Sequence, residues 1–358
     1  MSAVRPGTVG TVGRRLVTVP LAVALTGAAL ALFLLAAISA PVVLLFAPRL
    51  RLLRLSAFLL VYLLVDLGGV AGAGWDWARC ATLPGPARQE RLRQLSYALL
   101  ARLLGVLRAA AGRLFDLRVE VDPPIRPAGG APAPLLVFAR HAGPGDSFLL
   151  IHALLCDAGL RPVVVLKAFL RWDPCLDLLI GRTPHCFVPA DGDPATAAAI
   201  GALGAAVGPG EAVVIFPEGG NFTEGRRARS IAWLRRNGQL RRAARAQRQH
   251  HVLPPRMPGT LALLAGAAGA AGAAGAAGVA GTAAEVVVVA HTGLDRLDSK
   301  GAVWKGVPLR TAVTATWWRV PLAELPSDRT GREEWLTDQW SRVDAWIGRR
   351  ADRSTEAG

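Results

Sequence analysis

LLVFARHAGPGDSFLLIHALL, residues 135–155, carries a short apolar run, a bend forced by Gly143, Pro144 and Gly145, and a helical pattern that opens at Asp146. The run predicts a strand, and the pattern after the bend predicts a helix. Working outward, the same alternation repeats along the chain. RVEV (118–121), VVVLK (163–167), CFV (186–188), AVVIF (212–216) and EVVVVA (285–290) read as further strands, with helical patterns after Lys167 and Asp193. Alternating strands and helices predict an α/β fold with a largely parallel sheet flanked by helices.

Upstream of this domain the chain changes character. From Leu16 to Ala47 there is no charged residue, which exceeds the roughly 20 apolar residues that cross a bilayer core. A basic break at Arg49, Arg51 and Arg54 follows, then a second apolar run from Leu55 to Trp75 interrupted only by Asp66. The prediction is an N-terminal hydrophobic two-helix membrane hairpin that spans the bilayer or dips into it from one face. A cleaved signal peptide would have an apolar region of only about 7 to 15 residues. Asp66 is costly in lipid unless it is functional or has a partner. From Arg88 to Leu117, leucines at 92, 95, 99, 103 and 107 recur at helical spacing, which predicts an amphipathic helix lying on a membrane or packed on the domain. The expected organisation is a hairpin over 1–86, a connecting helix over 87–117, an α/β domain over 118–350 and a polar tail over 351–358. Within the domain, 265–284 reads as a Gly/Ala low-complexity insertion or marginal helix.

Composition narrows the function classes. Of 358 residues 52% are apolar and 19% charged, and mean hydropathy is +0.35, so intrinsic disorder is excluded and membrane association is expected. Lys+Arg of 41 against Asp+Glu of 26 gives a net charge of +15, carried almost entirely by arginine. Such a surface suits an anionic partner. The Arg-rich stretch from Arg226 to Arg248 is a candidate for contact with an anionic leaflet or with the phosphates of acyl-CoA. Aromatic residues are only 6%, and no base-stacking or groove-reading motif is present, so no nucleic acid is expected. Cys80, Cys156, Cys175 and Cys186 have no metal-ligand spacing and read as small core residues. No metal and no bound cofactor are predicted.

The chemistry concentrates at His141 and Asp146. A carboxylate five residues from an imidazole across a tight bend can accept a hydrogen bond from one ring N–H, fixing the tautomer so that the other nitrogen can deprotonate a hydroxyl. A second stretch, AVVIFPEGGNFTEGRR (212–227), puts a carboxylate and a glycine just past the end of a strand, where open α/β sheets bind ligands. No G-x-S-x-G motif is present; the nearest approach is GDSFL at 145–149, so a nucleophilic serine elbow is not expected.

The ordered pair of an H-x-x-x-x-D box and an FPEG box resembles the glycerolipid acyltransferase family that includes lysophosphatidic acid acyltransferases. VLKAFLRWDPCLDLLIG (165–181) and HHVLPPRMPG (250–259) are similar to further family segments, and RVPLAELP and EEWLTDQW to the tail of its longer members. The resemblance runs over roughly residues 15 to 347. It implies a fatty acyl transfer from acyl-CoA or acyl carrier protein to the hydroxyl of a lysophospholipid, most simply 1-acylglycerol 3-phosphate. His141 is then the base and Asp146 its orienting partner. Phe216, Pro217, Glu218 and Gly219 then help hold the anionic head group; Lys167, Arg182, Arg226, Arg227 and Arg256 are candidate phosphate ligands by their charge, Arg256 within a segment similar to the family's. The expected location is a membrane, with the site at its cytoplasmic face.

Departures from the family pattern open a second expectation. Gly220 and Asn221 stand where Thr-Arg or Thr-Asp is usual, and CFVPADG (186–192) lacks an expected arginine. Another acceptor, such as a glycolipid or lysophosphatidylinositol, is the alternative. A basic membrane-tethered binding protein without chemistry is the reading from a different class.

Overall fold

A computed structural model describes the chain except residues 1–7, 47–48, 126–131, 144, 190–193, 277–283, 298–299, 310 and 357–358. The chain opens with helices α1 (Thr8–Phe46), α2 (Arg51–Arg79) and α3 (Gly85–Phe115), then strands β1 (Val119–Val121) and β2 (Leu135–Ala139). Helix α4 (Asp146–His152) runs into a π-helical turn over Ala153–Asp157, and β3 (Arg161–Lys167), α5 (Pro174–Ile180) and β4 (His185–Val188) follow. Next come α6 (Pro194–Ala206), β5 (Glu211–Ile215), α7 (Glu224–Arg236), α8 (Leu240–Arg248) and α9 (Met257–Ala276). The last elements are β6 (Glu285–Thr292), α10 (Lys300–Gly306), β7 (Val313–Pro321) and α11 (Arg329–Glu356).

The sheet has seven strands in the order β1-β7-β6-β2-β5-β3-β4. β2 runs parallel to both β5 and β6, β3 parallel to β5, and β1 parallel to β7; the β6–β7 pair is antiparallel. The predicted strands all appear. β7 is the addition: its VTATWWRVP run is mostly half-buried, so it lacks the uniform apolar signal of β2 and β5, where every residue is buried. After Lys167 the predicted helix is a 3₁₀ segment over Ala168–Trp172 followed by the short α5. Pro174 at the first turn of α5 and Asp173 capping it account for the restart.

The chain divides into two compact units. One comprises residues 1–118, 166–192 and 304–311. Here the segment around α5 groups with the N-terminal helices, and the reasons are local. Asp66, buried in α2, accepts a hydrogen bond from the Cys175 amide at 3.0 Å, so this acid in an apolar run is partnered. Tyr62 donates to Asp173 at 2.7 Å, and Arg14 and Arg15 reach Asp177 at 2.6 and 2.7 Å. Gly69 and Gly72 let neighbours approach α2 closely: a Cβ at Gly69 would collide with Cys175 and Leu103, and one at Gly72 would press on Leu99 of α3. The amphipathic helix is thus packed, burying Tyr97, Leu100, Leu104 and Ala111. α1 and α2 are both long and apolar enough to cross a membrane. On α1, Leu16, Leu35, Ile38 and Leu45 stand 64–79% exposed.

The other unit comprises residues 119–165, 193–303 and 312–358 and holds most of the sheet. Helices α6 and α9 pack through glycines. Gly204 and Gly266 meet the backbone of the opposite helix so closely that any Cβ would collide with a carbonyl. The Gly/Ala tract is therefore helical as far as Ala276, because small residues let two backbones approach; residues 277–283 lie outside the described residues. Gly266→Ala is expected to destabilise by about 1–3 kcal/mol through overpacking. Gly272→Ala, with open space around the same atom, is expected to stabilise by up to about 1 kcal/mol through helix propensity. Thermal unfolding of the two purified variants checks the opposite signs. Cys80, Cys175 and Cys186 are buried as expected, whereas Cys156 is exposed, because the π-helical turn carries it to the surface.

Candidate active site

The site forms where β2 ends. Its last residues are buried, and the chain then turns through Gly143 and Gly145, the latter at φ +90° as the residue before α4. That left-handed turn suits glycine and returns Asp146 toward the strand end. His141 Nδ1 lies 2.9 Å from Asp146 Oδ2. The same oxygen accepts from the amides of Ala142 at 2.8 Å and Gly143 at 3.2 Å, and Oδ1 accepts from the Ser147 amide at 2.6 Å. Burial alone would raise the Asp146 carboxyl, but the His141 hydrogen bond, nearby imidazoles and backbone amides outweigh it and hold the group below the usual carboxylate range. In the tautomer that donates Nδ1–H to Asp146, the His141 ring keeps a lone pair on Nε2; its side chain is 18% exposed. The ring also packs on Phe216, centroid to centroid 4.6 Å.

The FPEG residues divide by role. Phe216 faces the imidazole. Glu218 points the other way: it is buried, accepting from the His141 amide at 3.4 Å and the Leu253 amide at 3.1 Å. Burial pushes its carboxyl up to about 8 against the opposing pull of Arg140. Its place is behind the site, tying the β2 end to the VLPPR segment. Gly219, at φ +69°, leaves room for the Arg256 side chain, which a Cβ there would strike. The Arg256 amide donates to the Pro217 carbonyl at 2.7 Å, so FPEG and the PPRMPG segment are one structure with an exposed guanidinium over the glycine. Arg226 is exposed and donates to the Asn221 carbonyl at 2.9 Å, and Arg227 is turned onto the Gln247 and Gln249 carbonyls. Lys167 and Arg182 fall in the unit that holds the N-terminal helices. There Lys167 is exposed at the end of β3, and Arg182 donates to the Ala73 carbonyl at 2.9 Å.

Arg140, Asp295 and His291, to which the sequence assigned no role, complete the surroundings. Arg140, 1% exposed, donates to the His251 carbonyl and, at 2.8 Å, to the His291 carbonyl, and pairs with Asp295. His291, buried at the end of β6, places Nε2 3.0 Å from the Arg140 carbonyl and 3.8 Å from Asp146 Oδ2. Burial lowers its pKa and so favours the neutral ring. The available signal was a histidine at the carboxyl end of a buried strand, the edge where such sheets assemble sites. Among the described residues no group of three or more His, Cys, Asp or Glu could hold a metal ion.

One face of the sheet adjoins a cavity of about 640 Å³ that runs beneath α4. Its walls are apolar, with Leu149, Leu150, Val287 and Ala315 among them, and Asp146 and His291 belong to its lining. An aliphatic chain fits such a space, with the carboxylate–imidazole pair close by.

The described residues thus bring an imidazole held by a carboxylate close to an apolar cavity, in a sequence that holds no serine elbow. Residues 124–257, which include both boxes, match the family model described as Acyltransferase. The chain is also similar to the crystal structure of the 1-acyl-sn-glycerophosphate (LPA) acyltransferase, PlsC, from Thermotoga maritima. Identity is 16% over 80% of this chain and 97% of that one, with a TM-score of 0.45. No curated protein matches the chain.

Proposed function

We propose that this protein transfers a fatty acyl group from a thioester donor, acyl-CoA or acyl carrier protein, to the free hydroxyl of a lysophospholipid, most simply 1-acylglycerol 3-phosphate. The observation that carries the reading is the 2.9 Å His141–Asp146 pair, with Asp146 lining the apolar cavity. His141 Nε2 takes the proton of the acceptor hydroxyl as its oxygen attacks the thioester carbonyl. The new C–O bond forms, the C–S bond breaks, and the imidazolium returns its proton to the departing thiolate. Asp146 holds the ring in the productive tautomer and stabilises its charged form. The cavity takes an acyl chain, and Arg256 meets the head-group phosphate. The site works at a membrane, since bringing a long acyl chain into water costs about 0.8 kcal/mol per methylene.

Acyl transfer by purified protein against a panel of lysolipids with both donors tests this reading. Transfer to lysophosphatidic acid supports it, and no transfer to any lysolipid defeats it. Arg256→Gln is expected to raise KM for a phosphate-bearing acceptor by about tenfold, the worth of a charged hydrogen bond, with kcat little changed. A second acceptor reading rests on Gly220 and Asn221 and on Arg182 and Arg227 being held by carbonyls. Preference for a glycolipid or for lysophosphatidylinositol in the same panel selects it.

A further inference from the structure

Helices α7 and α8 form a basic hairpin that the proposed chemistry does not use. They pack through Ile231, Leu234, Ala243 and Ala246. From Glu224 to Arg248 the sequence holds nine arginines and a single acid, Glu224. Four of the nine are engaged: Arg226, Arg227 and Arg242 on carbonyls, Arg245 on Asp338. The other five, Arg229, Arg235, Arg236, Arg241 and Arg248, are exposed and have no ion-pair partner among the described residues. The tip adds a different chemistry. The chain reverses at Gly238, φ +70°, and on either side of the reversal Trp233 and Leu240 stand 50% and 66% exposed.

Bare guanidinia beside an exposed tryptophan and leucine match the layering of a bilayer surface. Phosphates lie outermost there, and just beneath is a zone that accepts tryptophan and aliphatic side chains. The charge alone would suit any polyanion; the apolar tip distinguishes lipid, because phosphates of nucleic acid offer it nothing to bury against. A bilayer is also at hand, since the chain carries two helices long and apolar enough to cross one. We propose that the α7–α8 hairpin is a second membrane contact, selective for anionic lipid, with Trp233 and Leu240 entering the interface and the five free arginines meeting lipid phosphates. The inference does not depend on acyl transfer.

The full chain, reconstituted in lipid nanodiscs, provides the test. Leu240→Cys in a Cys156→Ser background leaves the other three thiols buried, so an environment-sensitive fluorophore can be placed at position 240. In discs containing phosphatidylglycerol the expected result is a blue-shifted emission that is quenched by nitroxide-bearing lipid and shielded from iodide. In phosphatidylcholine discs the shift and the lipid quenching should be largely lost. The combined variant R229E/R235E/R236E should lose both in anionic discs while remaining disc-bound and keeping the wild-type thermal unfolding midpoint. A label at 240 that iodide quenches and lipid nitroxide does not, in anionic discs, overturns the proposal. So does a label that ignores lipid but responds to an acidic carrier protein or to DNA.

Discussion

Replacing His141 by glutamine is expected to lower kcat for acyl transfer by about 10²–10⁴-fold, the usual contribution of a positioned general base. KM for both substrates should change little, and the protein should accumulate normally. The last expectation follows from the geometry. Asp146 keeps its amide donors from Ala142, Gly143 and Ser147 when the imidazole is gone, so no buried carboxylate is left unsatisfied. Asp146→Asn behaves differently. It loses activity because the imidazolium lacks its counter-charge, and it also loses stability, because an amide NH₂ must face backbone N–H groups that need an acceptor. Steady-state kinetics and thermal unfolding of the two variants separate the roles. Wild-type turnover in His141→Gln would remove the base from the mechanism.

Arg140→Met is expected to be the most damaging single change to folding, costing about 3–5 kcal/mol, as breaking a buried charge pair does. The guanidinium is 1% exposed and serves the carbonyls of His251 and His291 as well as the Asp295 carboxylate. Its loss leaves those acceptors without their donor and removes the one nearby positive charge pulling down the Glu218 carboxyl. Lysine should rescue poorly, since one ammonium cannot reproduce a planar fork with several acceptors. Against a total stability of about 5–15 kcal/mol, the change should appear as reduced protein in membranes and a lowered midpoint in detergent. A variant with wild-type stability would show that the cluster is not structural.

Much of this was legible without coordinates. The apolar runs of β2, β5 and β6 announce themselves because central strands bury both faces and admit few polar residues. His141 and Asp146 could be paired on paper because only a glycine-rich bend lies between them. Other features resisted for physical reasons. β7 has half-buried positions and no strong periodicity. Glu218 lies in the same FPEG box as Phe216, and only burial shows that its carboxylate serves two amides instead of facing the imidazole.

From residue order alone come the α/β alternation, the hydrophobic helices, the basic surplus and the oriented imidazole, since each rests on neighbours within a turn or a strand. Tertiary structure alone decided which charges lie behind that imidazole, which arginines have no ion-pair partner among the described residues, and that Asp146 lines an apolar cavity. Those depend on strand order, which brings β2 beside β6 although well over a hundred residues separate them, and no local pattern records such a meeting.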